Sequence, residues 1–350
     1  MCSRSLAQSR LIDRSNQFEL RNFIDSLVAG KMDTYKIPGV AIGVVRDNSI
    51  LYARGYGVIN IQSTIEVNEN SVFHTGSISK LFTASAITHL SRSKLLNYDD
   101  RIIKFVPELK YYDKRVAQIT VRQLLNHTSG LKDIVNYHWR RNNQDEKSLK
   151  KYILTSKLKL KNSPGESYNY SNLGYDLLGL IIESVTRESF EDYIKTAILE
   201  PCQMKNSDFR YFSIKDSLKT YPHSRFFFRN GISVRKVYPY TREHSPSSTL
   251  NSSIDDLCKW MVAFMNGEDS REEMLAPHPR FVRIGLGFQL ANLFDKRAAG
   301  HYGGDRGFRS YLIMFPDDKI GLVVLVNADF HEDFRQEVLH PIARHMFQKK

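Results

Sequence analysis

Apolar residues recur at helical spacing near the start of the chain, between positions 17 and 36. They are Phe18, Leu20, Phe23, Ile24, Leu27 and Val28. This period predicts an amphipathic helix that ends at Pro38-Gly39. Two strands are predicted next, Val40–Arg46 and Ile50–Gly57, because a turn-forming run, Asp47-Asn48-Ser49, separates two β-rich segments.

The middle of the chain is predominantly helical in pattern. The predicted helices are Ser77 to about Leu90, Val121–Asn126, Ser148–Leu158, Asn172–Thr186, Ser189–Leu199 and about Ile254–Met265. Residues 203–250 are irregular, aromatic and basic, and part of this segment (221–240) could form a lid. Strand character then returns, and a last helix closes the chain. These elements are Gly285–Leu290, Phe308–Phe315, Ile320–Asn327 and the helix from about Asp333 to Phe347.

Strands at both ends and helices between them predict an α+β fold. We expect one antiparallel sheet built from both chain ends, flanked by the terminal helices, with an inserted helical region. The expected organisation is a flexible segment at residues 1–16 followed by one domain at 17–350. Its sheet part would cover about 17–76 and 280–350, and its helical part about 77–279.

Charge and composition narrow the function classes. The chain has 350 residues, 41% of them hydrophobic, and a formal net charge of +12. A solvated basic surface is the simplest interpretation, and binding to an anionic cell-wall surface is the sharper alternative. No zinc-finger spacing or aromatic RNA-binding strand accompanies the charge, which argues against nucleic acid. Three distant cysteines give no disulfide framework.

The sequence leaves the cellular location open. No apolar run approaches the roughly 18 residues needed for a transmembrane segment. The first ten residues have no apolar core of a secretion signal. The protein would therefore be cytoplasmic, or in the cell envelope or periplasm if a leader had been removed.

Ser77 and Lys80 are the first candidates for chemistry. They lie three residues apart at the start of a predicted helix, so their side chains would share one face. A serine beside a lysine that can lose its proton is a nucleophile with its own base. The S-x-x-K pattern alone is weak, because it occurs six times in this lysine-rich chain.

Four segments in order make the signal specific. They are F-H-T-G-S-I-S-K-L-F-T-A around Ser77, I-T-V-R-Q-L-L-N-H-T-S-G-L from Ile119, P-G-E-S-Y-N-Y-S-N-L-G-Y-D-L-L-G from Pro164, and G-H-Y-G-G-D-R-G-F from Gly300. Together they resemble the serine β-lactamase and penicillin-binding-protein superfamily, especially its branch of class C β-lactamases, DD-carboxypeptidases and related esterases. The superfamily's S-D-N and K-T-G elements are replaced here by Tyr170-Ser171-Asn172 and His301-Tyr302-Gly303.

The resemblance implies a role for each matching residue. Ser77 would be acylated, Lys80 would lie buried beneath it as base or proton relay, and Tyr170 would be the second proton carrier. Asn172 would hydrogen-bond both Lys80 and a substrate amide. His301 would face the pocket from the edge strand.

The resemblance also implies an oxyanion hole formed by the backbone N–H groups of Ser77 and Gly304. Gly303 and Gly304 would let their strand approach the substrate closely. His127, in the H-T-S-G-L segment, is expected to support the pocket rather than act as a base.

Two departures from the family pattern bear on specificity. Tyr302 stands where a small hydroxyl residue often holds a substrate carboxylate, and its bulk is expected to narrow that subsite; Arg306 could supply a replacement charge. His301 replaces a lysine, and with an ordinary pKa near 6.5 it would make the rate depend on pH between 5.5 and 7.5 more strongly than in a lysine-bearing relative.

The function expected from these residues is a serine hydrolase that works through an acyl-enzyme. The substrate would be a small-molecule or peptide acyl compound: a β-lactam, a D-amino-acid peptide or an ester. A peptidase or esterase is favoured over an efficient β-lactamase because of His301 and Tyr302. A binding or sensor module without turnover is the alternative, and no metal or organic cofactor is implied.

Overall fold

The computed structural model of the protein describes residues 2–226 and 229–348, with side chains for 17–225 and 231–348. The strands are β1 (Gly39–Arg46), β2 (Ser49–Gly57), β3 (Val72–His74), β4 (His223–Phe226), β5 (Arg229–Val234), β6 (Asn251–Ser253), β7 (Gln289–Leu293), β8 (Lys296–Asp305), β9 (Phe308–Phe315) and β10 (Ile320–Val326). The helices are α1 (Cys2–Tyr35), α2 (Ser79–Arg92), α3 (Val121–Leu125), α4 (Ser148–Thr155), α5 (Asn172–Thr186), α6 (Phe190–Ile194), α7 (Ser245–Ser248), α8 (Ile254–Asn266), α9 (Glu268–Leu275) and α10 (Phe334–Gln348).

The main sheet is antiparallel and draws on both ends of the chain. Its strand order is β2-β1-β10-β9-β8-β7, so the last strand in sequence lies beside the first. Two short ladders, β3-β6 and β4-β5, lie outside it. The α+β class and the sheet built from both termini are therefore confirmed.

The central strands are apolar on both faces because the sheet is covered on both sides. In β10, Leu322 and Val324 pack with the terminal helices α1 and α10, whereas Val323 and Leu325 pack with the helical region. This alternation follows the two-residue period of a strand. All seven residues of β10 are buried, as the sequence I-G-L-V-V-L-V requires.

Several predicted boundaries change. The strand placed at Gly285–Leu290 begins only at Gln289. The pattern of residues also missed the ten-residue strand β8, although the resemblance implied a strand at His301. Its Gly-rich sequence has low β-propensity, and pairing with β9 along its length overrides that preference. The segment 203–250, expected to be irregular, contains the hairpin β4-β5 and the short helix α7.

The predicted domain division stays a prediction. The expected flexible segment 1–16 lies outside the residues whose side chains are described, and residues 227 and 228 of the proposed lid also lie outside the described ranges.

Candidate active site

Ser77 lies in a single 3₁₀ turn, Gly76–Ile78, that leads directly into α2. Its side chain is only partly buried, whereas Lys80 on the first turn of the helix is fully buried. The amine of Lys80 lies 3.1 Å from the Ser77 hydroxyl oxygen. The three-residue spacing therefore brings the two groups within hydrogen-bond distance.

Lys80 has three polar partners, all of which can accept a hydrogen bond. Besides Ser77 Oγ, its Nζ lies 2.6 Å from Asn172 Oδ1 and 2.7 Å from the Ser247 carbonyl oxygen. A neutral amine has two N–H donors and one lone pair. If the donors remain on the amide and the carbonyl, the lone pair points at the hydroxyl, which is the direction needed to accept its proton.

Burial also prepares Lys80 to lose its charge. Removal from water lowers the pKa of Lys80 to about 7, although the carboxylates of Asp176, Asp133 and Asp305 act to raise it. A substantial fraction of the amine is therefore neutral near pH 7.

Tyr170 approaches Ser77 from the other side. Its hydroxyl donates a hydrogen bond to Ser77 Oγ at 2.8 Å, and its ring lies over the Lys80 amine at 5.0 Å. Burial raises the pKa of Tyr170, so the phenol stays protonated at neutral pH. Of the two ways in which Tyr170 could carry a proton, the protonated phenol therefore favours donating one over accepting one as a phenolate.

Asn172 begins α5 and is held by a carboxylate that sequence analysis did not single out. Asp133 accepts hydrogen bonds from the Asn172 backbone N–H at 2.7 Å and from its Nδ2 at 3.0 Å. These bonds assign the side-chain oxygen to Lys80 and fix the orientation of the amide. The position of Asp133, directly after the H-T-S-G-L segment, was the available signal.

His301 lies on β8, which is not the edge strand that had been expected. In the described sheet β7 is outermost, but it pairs only with Lys296–Gly300 of β8. The outer edge of β8 beyond that point turns toward the Ser77 turn instead. His301 therefore lies next to the pocket as expected, but because this part of β8 is not covered by β7 and not because β8 is the edge strand.

The imidazole of His301 is neutral and presents an acceptor. Its Nδ1 lies 2.5 Å from the Tyr302 carbonyl oxygen, which can only accept, so Nδ1 carries the proton and Nε2 has the lone pair. Burial, with a contribution from the charge of Lys80, lowers the pKa of His301 to about 3. The prediction that this histidine titrates between pH 5.5 and 7.5 is therefore wrong.

The backbones of the Ser77 turn and β8 meet so closely that only glycine fits. A Cβ on Gly76, whose φ is +56°, would lie 2.6 Å from the Gly304 nitrogen. A Cβ on Gly303 would lie 2.0 Å from the Thr75 carbonyl oxygen. This contact places the Gly76-Ser77 and Gly303-Gly304 peptides side by side.

Tyr302 does not narrow the pocket, contrary to expectation. Strand alternation turns it to the opposite face of the sheet, where it stacks on Tyr311 with ring centroids 3.9 Å apart and accepts a hydrogen bond from Gln336. Arg306 is exposed in the turn between β8 and β9. With Arg309 and Glu332 it lines a charged depression that also reaches Gly303 and Gly304.

A cavity of about 560 Å³ opens beside His301. Its lining includes His127, Tyr168, Phe288 and Leu290, and Arg280 stands at its exposed rim. His127 is buried, accepts a hydrogen bond from the Ser171 backbone N–H at 3.2 Å, and lies against the Tyr170 ring at 4.4 Å. This arrangement agrees with the supporting role expected for His127.

A family model described as Beta-lactamase matches residues 24–345. The chain belongs to the β-lactamase family. The match covers the sheet, the helical region and all the candidate site residues. Fold and family are those of the serine β-lactamase and penicillin-binding-protein superfamily that the motifs indicated, and they support a serine hydrolase of that superfamily.

Two curated relatives and one solved structure are similar to this family member. Protein flp of Staphylococcus aureus (strain MW2) is 27% identical over 317 residues, covering 87% of this chain and 63% of that protein. Penicillin-binding protein 4* of Bacillus subtilis (strain 168) is 28% identical over 317 residues, covering 83% and 68%. The octameric penicillin-binding protein homologue from Pyrococcus abyssi superposes with a TM-score of 0.82 at 26% identity, covering 93% and 77%.

Other features of this β-lactamase-family chain concern membranes and metals. No helix within the described ranges is long and apolar enough to cross a membrane. The same residues contain no group of three or more histidine, cysteine, aspartate or glutamate side chains that could hold a metal ion.

Proposed function

We propose that this protein is a serine hydrolase that forms an acyl-enzyme on Ser77. The observation that carries the proposal is that one hydroxyl group has two hydrogen-bond partners, the Lys80 amine at 3.1 Å and the Tyr170 phenol at 2.8 Å. One partner has a pKa lowered toward neutrality and the other a raised pKa. Such a pair divides the tasks of base and acid between two groups.

In the proposed acylation, neutral Lys80 takes the proton of Ser77 as Oγ attacks the substrate carbonyl carbon. The developing oxyanion accepts hydrogen bonds from the backbone N–H groups of Ser77 and Gly304. Tyr170 donates its proton to the leaving group as the carbonyl–leaving-group bond breaks. The proton that Lys80 has gained then returns to the phenolate, so that both groups recover their starting protonation states.

Hydrolysis then regenerates the serine. Water attacks the ester carbonyl of the acyl-enzyme and gives a proton to neutral Lys80. The bond between the acyl carbon and Ser77 Oγ then breaks, that proton passes from Lys80 to the serine oxygen, and the acid is released.

The cavity favours a substrate with an apolar group and a hydrogen-bond donor beside His301. A lysine at this position would attract a carboxylate, but the neutral imidazole directs a lone pair into the site. We therefore propose an amide or ester substrate without a carboxylate beside His301, ahead of a carboxylate-bearing β-lactam. His301 alone supports this ranking, because Tyr302 faces away from the pocket.

The direct test is an intact-mass time course of wild type and Ser77→Ala with excess benzylpenicillin and, separately, an activated nitrophenyl ester. An adduct, or hydrolysed substrate, from wild type alone supports a Ser77 acyl-enzyme. A long-lived adduct without turnover would favour the binding or sensor alternative. Equal hydrolysis by both proteins, or no reaction with either substrate, would refute the proposal.

His301→Lys tests the substrate class. The added ammonium should raise kcat/KM for benzylpenicillin and leave that for the uncharged ester the same or lower. The opposite order would contradict the proposed role of the imidazole.

A further inference from the structure

Behind the candidate oxyanion hole, a buried arginine binds the backbone of β8. Arg335 lies on α10 and is 6% exposed. Its Nη1 donates hydrogen bonds to the Gly303 carbonyl oxygen at 2.8 Å and to the Ser310 carbonyl oxygen at 3.1 Å. Glu332 pairs with the same guanidinium. The proposed acylation mechanism does not use this arginine.

The other candidate peptide has an equivalent partner. Ser79 is fully buried on the first turn of α2, and its hydroxyl donates to the Gly76 carbonyl oxygen at 2.6 Å. The same hydroxyl oxygen accepts a hydrogen bond from the Leu250 backbone N–H at 2.9 Å. A chain of two hydrogen bonds therefore ends on Gly76, and successive bonds in such a chain strengthen one another.

Both carbonyls belong to the peptides whose N–H groups would stabilise the oxyanion. The Gly303 C=O shares a peptide plane with the Gly304 N–H, and the Gly76 C=O shares one with the Ser77 N–H. The described peptides are all trans, so each N–H points away from the partner of its carbonyl. A donor on the carbonyl oxygen draws electron density through the conjugated amide and makes the N–H a stronger donor.

Resting on the acyl-enzyme proposed above, we infer that Arg335 and Ser79 polarise the two oxyanion-hole peptides from behind and hold them in place. They are positioning residues, since neither reaches the reacting atoms. A cation acts behind Gly304 and a neutral hydroxyl behind Ser77. Arg335 comes from α10 and Ser79 from α2, and the two peptides that they contact lie side by side.

The placement of Arg335 is more specific than packing requires. Burying a guanidinium is costly unless it is paired and hydrogen-bonded. Glu332 and two backbone carbonyl oxygens supply those partners here. An arginine here gains two carbonyl acceptors, and one of them, the Gly303 oxygen, belongs to the peptide that carries the candidate oxyanion donor, the Gly304 N–H.

The test compares acylation by Arg335→Gln, Arg335→Lys and Ser79→Ala with that of wild type. Removing an oxyanion donor outright typically costs about 10² to 10³ in kcat, so weakening one should cost about tenfold in kcat/KM. We expect that loss in Arg335→Gln and in Ser79→Ala, with KM nearly unchanged. Arg335→Lys keeps the charge and should recover part of the rate.

A spectroscopic readout separates polarisation from general damage. Isotope-edited infrared spectra of the acyl-enzyme report how strongly the acyl C=O is hydrogen-bonded. The band should move to higher frequency in Arg335→Gln and in Ser79→Ala. Arg344→Gln is the matched control: it removes a positive charge from the same helix, at a side chain that lies over the Phe294 ring, and should leave the band and kcat/KM unchanged.

The outcomes distinguish this inference from the proposal on which it rests. If wild type forms no acyl-enzyme, the proposed function fails and this inference fails with it. If wild type is acylated and the band stays in place in both Arg335→Gln and Ser79→Ala, the polarising role alone is refuted. Should Arg335→Gln not fold, Ser79→Ala and Arg335→Lys still decide between the two results.

Discussion

Lowering the pH should stop acylation of Ser77, because Lys80 then takes up a proton and can no longer accept one. The perturbation is pH alone, and the controlling group is the amine whose pKa burial lowers to about 7. About nine-tenths of such an amine is neutral at pH 8 and about one-hundredth at pH 5, which predicts a roughly ninety-fold fall in kcat/KM. On the acid side, the logarithm of kcat/KM should fall by one for each pH unit, as expected when a single proton is taken up.

The assay is the pH dependence of kcat/KM for an uncharged activated ester, which reports on the free enzyme. Asp176→Asn adds a charge test, because the Asp176 carboxylate acts to raise the pKa of Lys80. Its removal should move the acid limb to lower pH. Asp99→Asn, at an exposed surface ion pair with Arg122, should leave the limb in place.

His301→Gln distinguishes lysine from histidine as the titrating group. The pKa of His301 lies near 3, so its replacement should keep the acid limb at about pH 7 even if the rate falls. Loss of the limb in this variant, a flat wild-type profile between pH 5 and 8, or an upward shift in Asp176→Asn would refute the assignment to Lys80.

Three further predictions concern single side chains. Tyr170→Phe removes the donor to Ser77 and should lower kcat by about 10² to 10⁴, with an unchanged melting temperature; full activity would contradict the acid role. Gly303→Ala forces a Cβ to 2.0 Å from the Thr75 carbonyl oxygen and should lower both melting temperature and activity, measured by thermal unfolding and ester hydrolysis; a variant as stable as wild type would count against that contact. Arg242→Met removes the nearer of the two arginines that pair with the buried Glu191 carboxylate, at 2.9 Å, and leaves only Arg210 at 3.9 Å. It should cost about 3 to 5 kcal/mol in the free energy of unfolding, and chemical denaturation showing less than about 1 kcal/mol would contradict this.

The sequence predicted the elements whose pattern is local. The continuous apolar runs of β1 and β10 and the helical pattern of α5 appear where the sequence pattern placed them. Only the family resemblance placed a strand at His301. The residue pattern missed β8 because its glycines and histidine carry little strand propensity, and its conformation depends on pairing with β9. Strand propensity is read from residues close together in sequence, whereas β8 is stabilised by its pairing with β9.

The candidate site divides in the same way. Motifs named Ser77, Lys80, Tyr170 and Asn172, and the fold brings them within hydrogen-bond distance of one another. Protonation states could not be predicted, because they depend on burial and on charges remote in sequence. His301 is the clear example. The ordinary pKa of histidine suggested titration near neutrality, but burial lowers the pKa of His301 to about 3.

The sheet order has a consequence for synthesis of the chain. β10 pairs with β1 across an interval of nearly the whole sequence, so the sheet cannot close until the ribosome has released the C-terminal strands. Ser77 is synthesised well before β8 and Arg335, so the oxyanion-hole side of the site is missing until the end of the chain has been made. We expect folding to be slow, since most of the sheet is non-local. A chain that stops before β10 would contain Ser77 in its sequence but could not complete the sheet that forms one side of the site.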